Sequence, residues 1–322
     1  MIPHDEFAEL VTRSRQSHDQ RRGGNSTVSR LEWRGRQVAV KDYNARTDAR
    51  ARLSREWIGL HLLRSLGLRF VPEPLGADFE TRIGAQEWLP GMSPPMDSAT
   101  VAAMETVLCQ LHKGAGRLQV GASCQPAADS IKDIADMREQ ILRRVSQLKV
   151  VGSSELQNLL NRITADVQIV ESCTAETGHW IPTLSPSDFG PHNMLHDASK
   201  EAWNLIDLEF FGWDDAHKLI CDTLLHPLIA WEGDLVGDFV ETAARTYSLD
   251  PKRLTALFPW CSLKWATIAA GRAAREFCAG KPDSAQESIA KAHVYVRRAV
   301  ESRRLVRDFA GLEAIVLWEP LQ

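Results

Sequence analysis

The succession of patterns along the chain predicts an α+β protein, with an N-terminal antiparallel sheet plus one helix followed by a larger, mainly helical part. Two observations carry this expectation. Up to Pro90, short runs that alternate apolar with small or polar residues are separated by turn residues and by a single stretch of helical spacing. Beyond Pro90 helical spacing returns again and again, interrupted only around residues 194–195 and 204–206, which read as strands.

In chain order, residues 5–20 are polar with scattered apolar positions (Phe7, Leu10, Val11) and fit a short surface helix. Gly23-Gly24-Asn25-Ser26-Thr27 breaks that pattern. Two strands follow, from Val28 to Trp33 and from Gln37 to Tyr43, joined by a turn at Arg34-Gly35-Arg36. Leu53, Trp57, Leu60 and Leu63 give residues 48–66 a helical face, and Gly67 suits its C-terminal cap. A second strand pair is expected at about 76–79 and 83–89, ending at Pro90-Gly91. Helices are expected at 99–113, 128–148 and 153–172, the last two as an antiparallel pair too short for a coiled coil, and again from Leu219 to about Arg307. The change of character near 89–92 divides the chain into an N-terminal part, 1–90, and a C-terminal part, 91–322.

Composition narrows the class. The chain has 322 residues, 44% apolar and 25% charged, ordinary for a soluble globular protein. A net charge of -4 without like-charge blocks gives no reason to expect a nucleic-acid partner. The six cysteines include no Cys-x-x-Cys pair, which speaks against a disulfide framework or zinc site and fits a reducing cytoplasm. The N-terminus lacks the pattern of a signal peptide, and no apolar run reaches bilayer length, so no membrane partner is expected.

The chemistry sits in two clusters. Ser185-Pro186-Ser187-Asp188-Phe189-Gly190-Pro191-His192-Asn193 places an amide five residues after an acid, and Asp207-Leu208-Glu209 follows an apolar run. Phosphoryl transfer from a magnesium nucleotide needs such a set: one carboxylate to orient the attacking hydroxyl, and an amide oxygen with a second carboxylate to hold the metal. Asp188-Phe189-Gly190 matches the metal-binding string of protein kinases literally. The interval to Asn193 and the later Asp207 instead make Asp188 the residue that accepts the hydroxyl proton, and Asn193 and Asp207 the magnesium ligands. Glu209, on the same side as Asp207 if the segment is extended, joins or supports the metal shell. Upstream, Val38-Ala39-Val40-Lys41 buries a lysine in an apolar strand, a costly placement unless it is paired. Glu56, fifteen residues later on the helix, is the candidate partner. The plainer alternatives are a solvent-facing edge lysine and a surface glutamate. Among Gly212-Trp213-Asp214-Asp215 at least one acid is expected to cap the following helix. The histidines, His192 and His217 included, read as structural or surface residues.

At these residues the chain resembles the aminoglycoside phosphotransferase/choline kinase-like superfamily, which has the protein-kinase-like two-lobe fold. The resemblance implies that Gly24, Asn25 and Ser26 belong to a glycine loop over the phosphates. It implies too that Lys41 and Glu56 form the lysine–glutamate pair, and that the backbone around Glu87 and Leu89 in Gln86-Glu87-Trp88-Leu89-Pro90-Gly91 receives the adenine. It implies ATP or GTP with Mg2+ as cofactors, and as acceptor a small molecule bearing a hydroxyl: an aminoglycoside, sugar, amino alcohol or hydroxy amino acid. One departure stands out. The usual His-Gly-Asp start of the catalytic loop is Pro186-Ser187-Asp188 here. The competing expectation is therefore a pseudokinase-like module that binds nucleotide without catalysis.

Overall fold

The structure, a computed structural model, describes residues 2–22, 25–43, 47–148, 153–173, 179–305 and 309–317. Gly23 and Gly24 lie outside the described residues. The chain folds into two compact units. The first comprises Met1–Pro95, Gln110–Ala128 and Leu184–Trp213; the second comprises Met96–Cys109, Asp129–Thr183 and Asp214–Gln322.

The first unit is built on a five-stranded sheet of Gln20–Arg22 (β1), Thr27–Trp33 (β2), Arg36–Asp42 (β3), Pro74–Asp78 (β4) and Ile83–Glu87 (β5), in the order β1-β2-β3-β5-β4. Every neighbouring pair is antiparallel. The β2–β3 hairpin turns at Arg34 and Gly35, with φ of 50° and 74°. Positive φ at both central residues matches the right-handed twist of the strands it joins. The central strand β3 is buried on both faces, and side-chain alternation sorts its residues between them. Val38 and Val40 pack with Leu75, Ile83 and Ala85 beneath Phe7, Leu10 and Val11 of helix His4–Gln16 (α1). Helix α1 is thus a cover for the sheet rather than the surface helix its polar composition suggests. Tyr43, at the end of β3, packs with Ala49 and Leu53 of Ala49–Ser65 (α2). Gly59 lets α2 approach Phe211 closely: a Cβ there would lie 2.8 Å from the ring. The same unit holds the Met194–Asp197 (β7) and Ala202–Leu205 (β8) hairpin. Met92 exchanges two backbone hydrogen bonds with His196, of 3.2 and 2.9 Å.

The second unit is helical, from Ile134–Leu148 (α4) and Ser154–Cys173 (α5) through Ala216–Leu225 (α6), Leu235–Tyr247 (α7), Pro251–Cys278 (α8), Pro282–Leu305 (α9) and Phe309–Leu317 (α10). Helix α8 is its axis, packed against α4, α5, α6 and α9. Helix Ser98–Ala115 (α3) and the strands Pro182–Ser185 (β6) and Gly212–Asp215 (β9), which pair, complete the element order. Asp215 caps α6, its carboxylate accepting from the His217 N–H at 2.9 Å, as the acids after Gly212 suggest. The same carboxylate receives the Arg253 guanidinium, and Lys218 and Lys264 ion-pair with Asp214 and Asp222 among fully buried side chains. Among the described residues no helix is long and apolar enough to cross a membrane.

The fold is thus the expected α+β arrangement, an N-terminal antiparallel sheet with a key helix and a larger helical portion. Strand bounds at β4 and β5 differ from expectation by a few residues, and α4 starts at Ile134 rather than 128.

Candidate active site

Strand parity builds the first half of the site. Lys41 lies one residue past Val40, so its side chain leaves β3 on the face opposite Val38 and Val40, the face toward α2. There its Nζ donates to Glu56 Oε1 at 3.0 Å and to Asp207 Oδ1 at 2.6 Å. Side-chain exposure is 6% for Lys41, 5% for Glu56 and 35% for Asp207. Tyr43, of the same parity, donates its hydroxyl to the other Glu56 oxygen, and Lys41 lies 5.1 Å over its ring centre. Burial opposes the Lys41 charge, but the Asp207 and Glu56 carboxylates outweigh it and hold the pKa well above that of an ordinary lysine. Burial and the same Glu56 charge push the Tyr43 phenol well up, so it remains a donor.

The second half lies in the segments around β7 and β8. Ser187 takes a left-handed backbone, φ 65°, with its N–H on Ser185 Oγ at 3.0 Å. The bend brings the Asp188 N–H to the Pro186 carbonyl at 2.8 Å. A one-turn 3-10 helix, Pro191–Asn193, then turns the chain back, so that Asn193 Nδ2 donates to the Asp188 carbonyl at 2.8 Å. His192 Nε2 lies 3.0 Å from Asp188 Oδ1. The Asn193 carbonyl accepts from the Ile206 N–H at 2.9 Å, setting Asn193 beside the segment that carries Asp207.

Glu209 departs from the geometry from which its place was inferred. Asp207 is itself left-handed, φ 63°, so the segment is not extended. Glu209 is 1% exposed and accepts from Arg52 at 2.5 Å and from Asn25 at 2.5 Å. Burial pushes its carboxyl up to about 7, with the Asp207 charge adding to the shift and Lys41 and Arg52 opposing it. Arg52 also binds Asp48 at 2.7 Å and stacks over the Phe210 ring at 4.4 Å.

Of the expected site residues, Lys41, Glu56 and Asp207 are in direct contact, and Asp188 and Asn193 share one loop. Asn25 touches Glu209; Ser26 starts the return to β2; Gly24 lies outside the described residues. Glu87 and Leu89 flank Trp88 at the end of β5. The Glu87 and Trp88 N–H groups are taken by Glu73 and Gln37 carbonyls at 2.9 and 3.1 Å, while the Leu89 N–H has no hydrogen-bond partner among the described residues. Three contributors escape a motif reading. Arg52 precedes Glu56 by one helical turn, and Tyr43 follows Lys41 at strand period; both spacings were available as signals. His192, read as structural or surface, contacts the Asp188 carboxylate.

The donor set suits a hard cation beside a nucleotide. With the Asn193 amide nitrogen committed to the Asp188 carbonyl, its oxygen is the end turned away from that bond, and Asp207 offers a partly exposed carboxylate.

By sequence, no protein-family model and no curated protein matches the chain. By structure, a candidate aminoglycoside phosphotransferase of Ralstonia eutropha JMP134 aligns over 92% of this chain and 98% of its own, with TM-score 0.64 and 13% identity. The choline kinase of Cryptosporidium parvum aligns over 94% and 98%, with TM-score 0.61 and 10% identity. An aminoglycoside phosphotransferase, APH(2")-IIa, solved as a ternary complex with streptomycin and ATP, aligns over 91% and 99%, with TM-score 0.57 and 15% identity. The fold is the two-lobe kinase-like fold shared by these small-molecule phosphotransferases.

Proposed function

We propose that the chain is a small-molecule kinase. It transfers the γ-phosphoryl group of ATP or GTP to a hydroxyl of a small acceptor such as an aminoglycoside, sugar, amino alcohol or hydroxy amino acid. The observation that carries this reading is the buried Lys41 amine held between Glu56 at 3.0 Å and Asp207 at 2.6 Å, in the same compact unit as the Asp188–Asn193 loop. A lysine fixed by a helical glutamate is a phosphate clamp that need not reorganise when the nucleotide arrives.

In this reading residues 1–90 serve the nucleotide and residues 91–322 supply the catalytic loop and acceptor binding. Lys41 takes the α- and β-phosphates, with Glu56 and Tyr43 keeping its amine in place. Asn25 and Ser26 cover the phosphates, and the backbone of Glu87 and Leu89 receives the base. Asn193 and Asp207 hold Mg2+, with Glu209 nearby. When bound, that ion supplies charge neutralisation on the phosphates. Asp188 accepts the proton of the acceptor hydroxyl. Little covalent chemistry falls to the protein, so positioning and electrostatics supply the rate. The cytoplasm, where nucleotide is abundant, is the setting this activity implies.

The test is nucleoside-diphosphate release from Mg-ATP and Mg-GTP against kanamycin, glucose, choline and serine, with two variants. Asp188→Ala should lower kcat by about 10²–10⁴-fold, the range for loss of a general base, while retaining nucleotide binding. Asp207→Ala should lose both metal-dependent nucleotide affinity and turnover. Full turnover in either variant would remove the role given to that residue. Nucleotide binding without transfer to any acceptor would favour the pseudokinase-like module.

A further inference from the structure

We infer that His192 is a positioning residue for the Asp188 carboxylate, acting from four residues downstream where the loop has Pro186-Ser187 before the acid. This deepens the phosphotransfer reading above and rests on it.

The backbone of Asp188 is held at both ends, its N–H on the Pro186 carbonyl at 2.8 Å and its C=O by Asn193 Nδ2 at 2.8 Å. Those bonds fix where the side chain begins, not where its oxygens point. A carboxylate on a short stem turns about a broad terminal torsion unless something grips it. One such grip is His192 Nε2, 3.0 Å from Oδ1, with the imidazole 16% exposed and the Asp188 side chain 30% exposed. An ionised carboxylate only accepts, so Nε2 is the protonated nitrogen of the ring.

The local sequence makes this geometry. Pro191 fixes φ at the first position of the 3-10 turn, and the Asn193 N–H closes that turn on the Gly190 carbonyl at 3.0 Å. His192 is carried inside the turn, so its ring faces the acid four residues before it. One turn therefore sets two groups: Asn193 holds the main chain of Asp188, and His192 holds its side chain.

The consequence for the reaction is a division of labour between the two oxygens. Oδ1 is engaged by the imidazole N–H, and Oδ2 takes the proton. As the acceptor O–H bond breaks, an Oδ2–H bond forms. The acceptor oxygen bonds to the γ-phosphorus, and the bond to the β,γ-bridging oxygen breaks, its electron pair leaving on the nucleoside diphosphate. His192 keeps its proton throughout; it acts through Asp188.

The experiment uses the full chain with Mg-ATP, the four acceptors named above, and water as acceptor in their absence. His192→Ala, His192→Gln, Asp188→Ala and the double variant His192→Ala/Asp188→Ala are compared by kcat, KM for Mg-ATP, affinity for a fluorescent ATP analogue and melting temperature. His192→Ala should lower kcat by about 10–100-fold, the scale of a misplaced reacting group, with KM for Mg-ATP and analogue affinity within about twofold of the parent. His192→Gln, whose amide can donate to Oδ1, should recover part of the loss. The double variant should be no slower than Asp188→Ala alone, because His192 has nothing left to position. Unchanged kcat in His192→Ala, or effects of the two substitutions that multiply, would overturn the inference while leaving the kinase reading intact. If His192→Ala does not fold, His192→Gln decides: a kcat change without a KM change supports the role, and none refutes it. A parent protein that transfers phosphate to no acceptor, water included, overturns the kinase reading and this inference with it.

Discussion

Replacing Lys41 with methionine tests whether the amine is the counter-charge on which the sheet–helix contact depends. Methionine keeps the apolar stem and removes the cation. Glu56, 5% exposed, is then left with the Tyr43 hydroxyl, whereas Asp207, 35% exposed, can regain water. The penalty therefore concentrates on Glu56, and breaking a buried pair on one side costs about 3–5 kcal/mol. With about 2.1 cal/mol/K of unfolding entropy per residue, one kcal/mol moves the midpoint of a 322-residue chain by about 1.5 °C, so the melting temperature should fall by about 4–7 °C. The second half of the test is a recovery. Lys41→Met/Glu56→Leu removes the stranded charge and should regain stability, short of the parent by about 1–3 kcal/mol because the buried Tyr43 hydroxyl loses its acceptor. Adding Tyr43→Phe should close most of that gap. The assay is thermal unfolding of the three variants followed by circular dichroism, with Mg-ATP added in parallel. The nucleotide should shift the melting point of the parent alone. A loss below about 1 kcal/mol in Lys41→Met, or a double variant no more stable than the single, would refute the claim that Glu56 is a buried carboxylate in need of that cation.

Two further outcomes follow from other parts of the fold. Gly91 has φ 119°, and a Cβ there would lie 2.7 Å from the His196 carbonyl oxygen, so Gly91→Ala should cost about 1–3 kcal/mol and raise amide exchange at Met92 and His196; parent-like protection at those amides would contradict this. Burial pushes the Cys124 thiol up to about 11, against a hydrogen bond from Trp213 that lowers it, so at pH 8 only about one molecule in a thousand carries the thiolate. Iodoacetamide at pH 8 should therefore label the exposed Cys278 and spare Cys124, read by peptide mass mapping; comparable labelling of both would refute the burial argument.

What could be seen in the sequence was whatever a period could report. Alternation about Lys41 and helical spacing about Glu56 placed both side chains in the space between strand and helix, and there they meet. The five-residue step from Asp188 to Asn193 survives as a hydrogen bond from the second to the carbonyl of the first. Other features left no local trace. Strand β3 pairs with β5 rather than β4, a choice made by long-range packing that no window of neighbours records. Strand β1, Gln20–Arg22, is polar throughout and carries no strand signal. Helix α1 buries only a narrow stripe, so its role as a cover is visible in its packing and not in composition. For Glu209 the sequence could not show the backbone: a positive φ at Asp207 means the segment is not the extended one from which its place beside Asp207 was read.

The left-handed backbone at Ser187 limits what chemistry can neighbour Asp188. A non-glycine residue in that conformation costs roughly 1–2 kcal/mol, and here the position is held by the hydrogen bond that the Ser187 N–H donates to Ser185 Oγ rather than by its own backbone preference. Glycine, asparagine and aspartate accept such a backbone readily; a branched side chain does not. The bend that aims the acid is therefore a selective filter on drift. Substitutions before Asp188 are sorted first by torsion and only afterwards by polarity or size, so a residue that looks interchangeable in composition can displace the carboxylate without touching it.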